Sequence, residues 1–208
     1  MPAIKQLAHI ATAALIFSAL WLSASAHAAS VVQMPFDDVV EQSEVAFEGR
    51  VVSRESGWNE ARTSIVTRVT IEVMDTLKGN TAQTVTLTFL GGEADGMRMD
   101  VSGLRVPNPG ERGVYFLEST LNQQASPIIG WNQGQFLIQQ SGSQAQIYTA
   151  SGRPVVGFQR VEANVQTLNE NEASGLQMHS GPAMSVANFK AHVRDVVRSS
   201  EERVEAAQ

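Results

Sequence analysis

The chain contains no cysteine. That absence excludes a disulfide framework, a thiolate nucleophile and a lipid-modified cysteine anchor, so the fold has to be stabilised by burial alone. Histidine is scarce as well: of the four present, only His179 and His192 lie beyond the first 28 residues. Catalytic zinc usually takes three protein ligands, and a matrixin-type peptidase needs a His-Glu-x-x-His helix, so neither is offered. There is no G-x-S-x-G, no G-x-x-x-x-G-K-[ST] and no Gly-rich turn with dinucleotide spacing. Serine nucleophiles on an elbow, phosphate cradles and nucleotide cofactors drop out together. Basic residues are also short, 15 Lys and Arg against 21 Asp and Glu. A surface of that sign repels phosphate backbones and anionic lipid, which argues against nucleic acid and membrane surfaces as partners.

What is present begins at the N-terminus. Lys5 precedes an apolar run from Ile10 to Leu22, and Ala26-His27-Ala28 supplies a small-x-small cleavage pattern. The run has about 13 residues, short of the roughly 20 that span a bilayer as a helix. The expectation is a signal peptide over residues 1–28 cut after Ala28, and hence export to the periplasm or beyond without stable membrane insertion. Loss of the leader removes one lysine and no acid, leaving a net charge of about −7. The remaining chain, about 180 residues, is long enough for one sizeable core.

Phe36 to Gln42 reads as a short helix with Asp37 and Asp38 in its first turn. Alternation follows: Val45, Phe47, Gly49 and Val51 on one face with Glu48, Arg50 and Arg54 opposite, then Ile65, Val69, Ile71 and Val73, then Val85, Leu87 and Phe89. A Gly-rich loop spans Gly91 to Gly96, and Gly113 to Glu118, apolar on both faces, predicts a central strand. Shorter strands are expected over 128–131, 135–139, 145–148 and 154–158, with a hairpin turn at Ser141-Gly142-Ser143. The resulting map has a mainly β domain over 29–158, an antiparallel OB-like barrel or compact sandwich. It continues with a flexible linker over 159–184 and an amphipathic helix over 185–208, capped by Ser185 and fraying from about Ser199.

In order, the segments Val39 to Val51, Thr67 to Gly79 ending in Leu77-Lys78-Gly79, Gly91-Gly92, Pro109-Gly110-Glu111, Tyr115-Phe116-Leu117 and Gln133-Gly134-Gln135-Phe136 resemble an uncharacterised family of exported bacterial β-proteins. That domain is sometimes found beside matrixin-type zinc peptidases. The short helix, the strand Phe47-Glu48-Gly49-Arg50-Val51 and the long strand ending in K-G are similar, more distantly, to tissue-inhibitor-of-metalloproteinase and netrin-like barrels, which are OB-folds. The match covers residues 36–140. Inhibitors of that type chelate zinc through an N-terminal cysteine, which this chain lacks, so that mechanism does not transfer.

No catalytic residue, metal ligand or cofactor is assigned. The candidate partner contacts are Trp58 and Trp131, as aromatic anchors or as end caps of the core, and Glu93, Asp95 and Arg98 in the Gly-rich loop. Glu93, Asp95 and Asp100 could act on a glycan or hold calcium; paired with Arg98, they serve only the loop. In the last helix, Lys190, Arg194 and Arg198 flank the apolar stripe, which docks on the β domain or in a partner's groove, and His192 is expected in solvent. The functional expectation is a non-catalytic exported binding module whose partner is a secreted or envelope protein. The alternatives are a regulator of a secreted peptidase and a carboxylate-based glycan enzyme.

Overall fold

Phe36–Gln42 forms the helix α1, over the residues the sequence predicts, with both aspartates in its first turn. The computed structural model describes residues 33–119, 125–158, 175–177 and 181–207. The expected leader, its cleavage point after Ala28 and most of the expected linker lie outside them.

After α1 come two 14-residue strands, β1 (Val45–Trp58) and β2 (Ile65–Lys78), then β3 (Thr84–Leu90). A small hairpin, β4 (Gly92–Ala94) and β5 (Met97–Met99), precedes β6 (Arg112–Leu117), β7 (Gln135–Ser141) and β8 (Gln144–Thr149). Two-residue strands β9 (Gly157–Phe158) and β10 (Leu176–Gln177) pair with each other, and α2 (Val186–Ala206) ends the described chain. The main sheet is antiparallel in the order β3-β2-β1-β6-β7-β8. Its end strands β3 and β8 do not pair with each other among the described residues, so the sheet stays open and no closed barrel is found.

The pattern of short helix, F-x-G-x-V strand and K-G has a physical basis. Lys78 Nζ donates to the carbonyls of Val40 (2.8 Å) and Glu41 (2.6 Å), placing a cation on the C-terminal end of α1. Gly49 sits where an added Cβ would lie 2.5 Å from Ile71 Cγ2 and 2.8 Å from the Glu72 carbonyl oxygen, so β1 and β2 approach only through a glycine. Three register shifts in that pair bend the two long strands.

The central strands carry a buried core on each face. On one side Phe36, Val40, Ala46, Phe116, Phe136, Phe189 and Val193 form a core beneath the two helices. Phe36 stands at its centre, with its ring centroid 5.2–5.7 Å from those of Phe116, Phe136, Phe158 and Phe189. On the other side Phe47, Val69, Ile71, Leu87, Phe89, Tyr115 and Leu117 pack together, with Leu104 and Val106 from the connection after β5 against them. The inward set of β3 and the two-sided burial of β6 match the sequence pattern.

Several expectations change. The segment 128–131 is a turn in which Ile128 only bridges Leu117, and 154–158 shrinks to a Pro154–Tyr148 bridge and β9. The Gly-rich loop is the β4–β5 hairpin. The described parts of the expected linker are bound into the fold: Leu176 and Ala183 are buried, Met184 N donates to Val155 O (2.7 Å), and Ile147 N donates to Met184 O (3.1 Å). Few large apolar residues do not prevent backbone pairing. Ser185 caps α2 as expected, accepting from Asn188 N, but the helix continues to Ala206 instead of fraying at Ser199. His192 is not in open solvent; its ring stacks on Phe158 at 3.7 Å and its Nε2 lies 3.2 Å from Asp37 Oδ1.

Candidate functional site

The turn of the β4–β5 hairpin is Asp95-Gly96, with φ of 50° and 74°, a two-residue turn with left-handed backbone at both positions. Asp-Gly between two short segments is the local signal that would have identified a hairpin in the sequence. Its root presses on the distal ends of β1 and β2. At Gly92 a Cβ would lie 2.5 Å from Thr67 Oγ1 and 2.6 Å from Ser56 Oγ. Its tip is fastened to the end of β1: Trp58 Nε1 donates to Asp95 Oδ2 (2.9 Å), and Arg62 pairs with the same oxygen (3.4 Å) while lying 5.8 Å from the Trp58 ring centroid.

Between this hairpin, the strand ends and the 101–106 segment runs a groove of about 330 Å³, lined by Arg54, Ser56, Thr67, Glu93, Arg98 and Leu104 among others. Arg98 stands opposite Glu93 in the hairpin register and donates to Asp100 (2.8 Å). The bond raises Arg98 above its ordinary value and lowers Asp100. Arg54 donates to Asn108 Oδ1 (2.5 Å).

Of the five candidate contacts, Glu93, Asp95 and Arg98 lie on one hairpin and Trp58, at the end of β1, bonds to its tip; Glu93 and Arg98 line the groove. Trp131 does not line the groove. It sits in the turn before β7 with a left-handed φ of 66°, a costly conformation for a bulky residue. Both tryptophans are half-buried. Sequence reasoning missed Arg54, Ser56 and Thr67, because nothing along the chain announces that the hairpin folds over them.

Ser56 and Thr67 hydroxyls lie 2.8 Å apart and Thr67 Oγ1 donates to Gly91 O (2.7 Å), so their hydrogen bonds go to each other and to backbone rather than to a base that could activate a nucleophile. Asp95 and Asp100 are each engaged by an arginine. Among the described residues no group of three or more His, Asp or Glu side chains is placed to share a metal ion.

Two further charged clusters were not foreseen. Glu48, 1% exposed, meets Arg112 Nε (2.6 Å) and Lys190 Nζ (2.6 Å), and Lys190 also reaches Asp75 (2.7 Å), which Arg194 holds with both carboxylate oxygens. Burial raises the Asp75 carboxyl, but the hydrogen bonds from Lys190 and Arg194 outweigh it and hold it below its usual value. For Lys190 burial acts downward and its two carboxylates win, raising it. This network locks α2 to the sheet, so Lys190 and Arg194 face acidic partners while Arg198 pairs with Asp195 on its own helix. Beneath the 101–110 segment, Arg105 grips both oxygens of Glu111 (2.9 and 2.8 Å) near the buried Tyr115, whose hydroxyl has no hydrogen-bond partner among the described residues and is driven far up by burial. That phenol stays protonated and inert at neutral pH.

No helix among the described residues is long and apolar enough to cross a membrane. Compared with family models, with curated proteins and with solved structures, the chain finds no match.

Proposed function

We propose that this is an exported, non-catalytic binding module whose contact surface is the β4–β5 hairpin face. One observation carries the reading: among the described residues, the hairpin that stands off the main sheet with a charged groove at its root also gathers Trp58, Asp95, Glu93 and Arg98. An aromatic ring held by a carboxylate and a guanidinium is a rigid anchor that loses little side-chain entropy on contact, and alternating charges around it confer selectivity. Export rests on the leader pattern at residues 1–28. The partner fitting that address is a secreted or envelope protein; a secreted peptidase is the class the sequence resemblance suggests.

A photo-crosslinking residue at Met97, 51% exposed on the hairpin, tests the reading against the same probe at Val204, 61% exposed near the end of α2. In cells the Met97 probe should give a discrete adduct that Trp58→Ala abolishes, and the Val204 probe should not. Adducts at Val204 alone, or none at either site, would remove the hairpin as the contact face. A purified peptidase recovered in the adduct should change rate when the chain is added.

A further inference from the structure

The two ends of the main sheet are treated differently. At β8 the outer edge is covered: Gln146 bridges Ser185, Tyr148 bridges Pro154, and Ile147 N donates to Met184 O. At β3 nothing comparable is found among the described residues beyond one bond at its end. Val73 N donates to Gln83 O and Gly91 N to Ile65 O, so the odd-numbered residues of β3 turn their backbone groups to β2. Leu90 N points the other way, to Ala125 O (2.9 Å). By the same alternation the N–H and C=O groups of Thr84, Thr86 and Thr88 project from the open edge.

Exposed edges are ordinarily blunted by lysine, proline or a bulge. Strand β3 (TVTLTFL) carries no charge and no proline, and its register with β2 is unbroken. Its first five residues are close to a palindrome, Thr84-Val85-Thr86-Leu87-Thr88. We propose that this edge binds a second copy of the chain, with two β3 strands pairing antiparallel about a two-fold axis through Thr86.

That pairing sets Thr84 against Thr88 of the second copy, Val85 against its Leu87, and Thr86 against itself, giving about six backbone hydrogen bonds from three narrow pairs. The side chains match by face. Thr84, Thr86 and Thr88 are exposed on the outer face, and Val85 and Leu87 lie on the apolar face. The neighbouring charges agree as well. On β2, Arg68 is the cross-strand partner of Thr88 and Glu72 that of Thr84, so the two-fold brings Arg68 into one row with Glu72 of the second copy, opposite charge toward opposite charge. A different partner strand would have no reason to meet this symmetry.

Sedimentation of the purified chain, in whichever processed form it accumulates, reads the outcome. From low to high micromolar concentration the mass should move from one chain toward two. Thr86→Pro removes an N–H that points outward, so the β2–β3 ladder is kept, and Thr86→Lys sets two cations on the axis. Both variants should melt near the wild type and stay at single-chain mass. A wild type that remains at single-chain mass throughout overturns the proposal, as do variants that dimerise like the wild type. If Thr86→Pro proves misfolded, Thr86→Lys alone decides.

Discussion

Glu48 has Arg112 on one carboxylate oxygen and Lys190 on the other, almost out of water, and Lys190 is shared with Asp75. A buried charge that keeps only one partner is expensive, whereas replacing a whole pair by apolar groups is often near neutral. Lys190→Met should therefore cost about 2–3 kcal/mol in urea unfolding, less than a fully severed pair because Arg112 remains. Adding Glu48→Leu should recover only part of that loss, because it removes the buried carboxylate but leaves the partly exposed Arg112 without it, and a double-mutant cycle measures the coupling. Acid acts on the same network through Asp75. Its folded value lies below its unfolded one, so the stabilisation is fully present above the unfolded value of 3.8 and is lost as pH falls through the lower folded value. Glu111, also lowered because its bonds to Asn108 and Arg105 outweigh burial, acts in the same direction. Thermal midpoints should fall steeply below about pH 4, and Asp75→Asn should flatten that limb while lowering the midpoint at pH 7.

Secondary elements are held here mostly by what lies across from them. Helix α1 has only seven residues, too few to persist alone, and stays folded because Phe36 fills the aromatic core and Lys78 holds its last carbonyls. Phe36→Ala should cost about 3–5 kcal/mol, the range for a fully packed ring, read by chemical denaturation. The far end of α2 is the converse case. Residues 201–207 are exposed throughout, and among the described residues they reach the body through the exposed Arg203–Glu41 pair and the field of Glu201 on Lys78. Ending the chain after Ser200 should lower stability by less than about 1 kcal/mol. The elements most legible in the sequence were those fixed by their own pattern: α1, the strands β1 to β3 and β6, and the cap at Ser185. Illegible were placements set by distant chain. Alternation put Glu48 on the polar face of β1, and only the docking of α2 buries it. His192 looked solvated because Phe158, which stacks on it, lies in another segment. Of the candidate site, the sequence pointed to Trp58, Glu93, Asp95 and Arg98 but not to the groove, since the hairpin that makes it has no neighbour relation along the chain to Ser56 or Thr67.

At the scale of the whole molecule one sheet is the shared wall of two cores, and strand β6 sends Val114 and Phe116 to the helix side and Tyr115 and Leu117 to the other. A wall one strand thick cannot lose the packing on one face without loosening the other, because the same backbone bonds position both sets of side chains. The helix-side core is further tied down by the ion network from α2 to Glu48 on β1 and Asp75 on β2. Unfolding should then be a single transition. Far-UV dichroism at the helical band reports chiefly α2, while tryptophan emission of a chain made without residues 1–28 reports Trp58 and Trp131, neither of which lies on α2 or in the aromatic cluster beneath it. The two urea curves should coincide for the wild type. In Lys190→Met the helical signal should still not precede the tryptophan signal, because the weakened lock lowers the stability of one cooperative unit. Separated curves would show instead that α2 undocks from a sheet able to stand without it, and the helix side would then be a detachable cover rather than half of the fold.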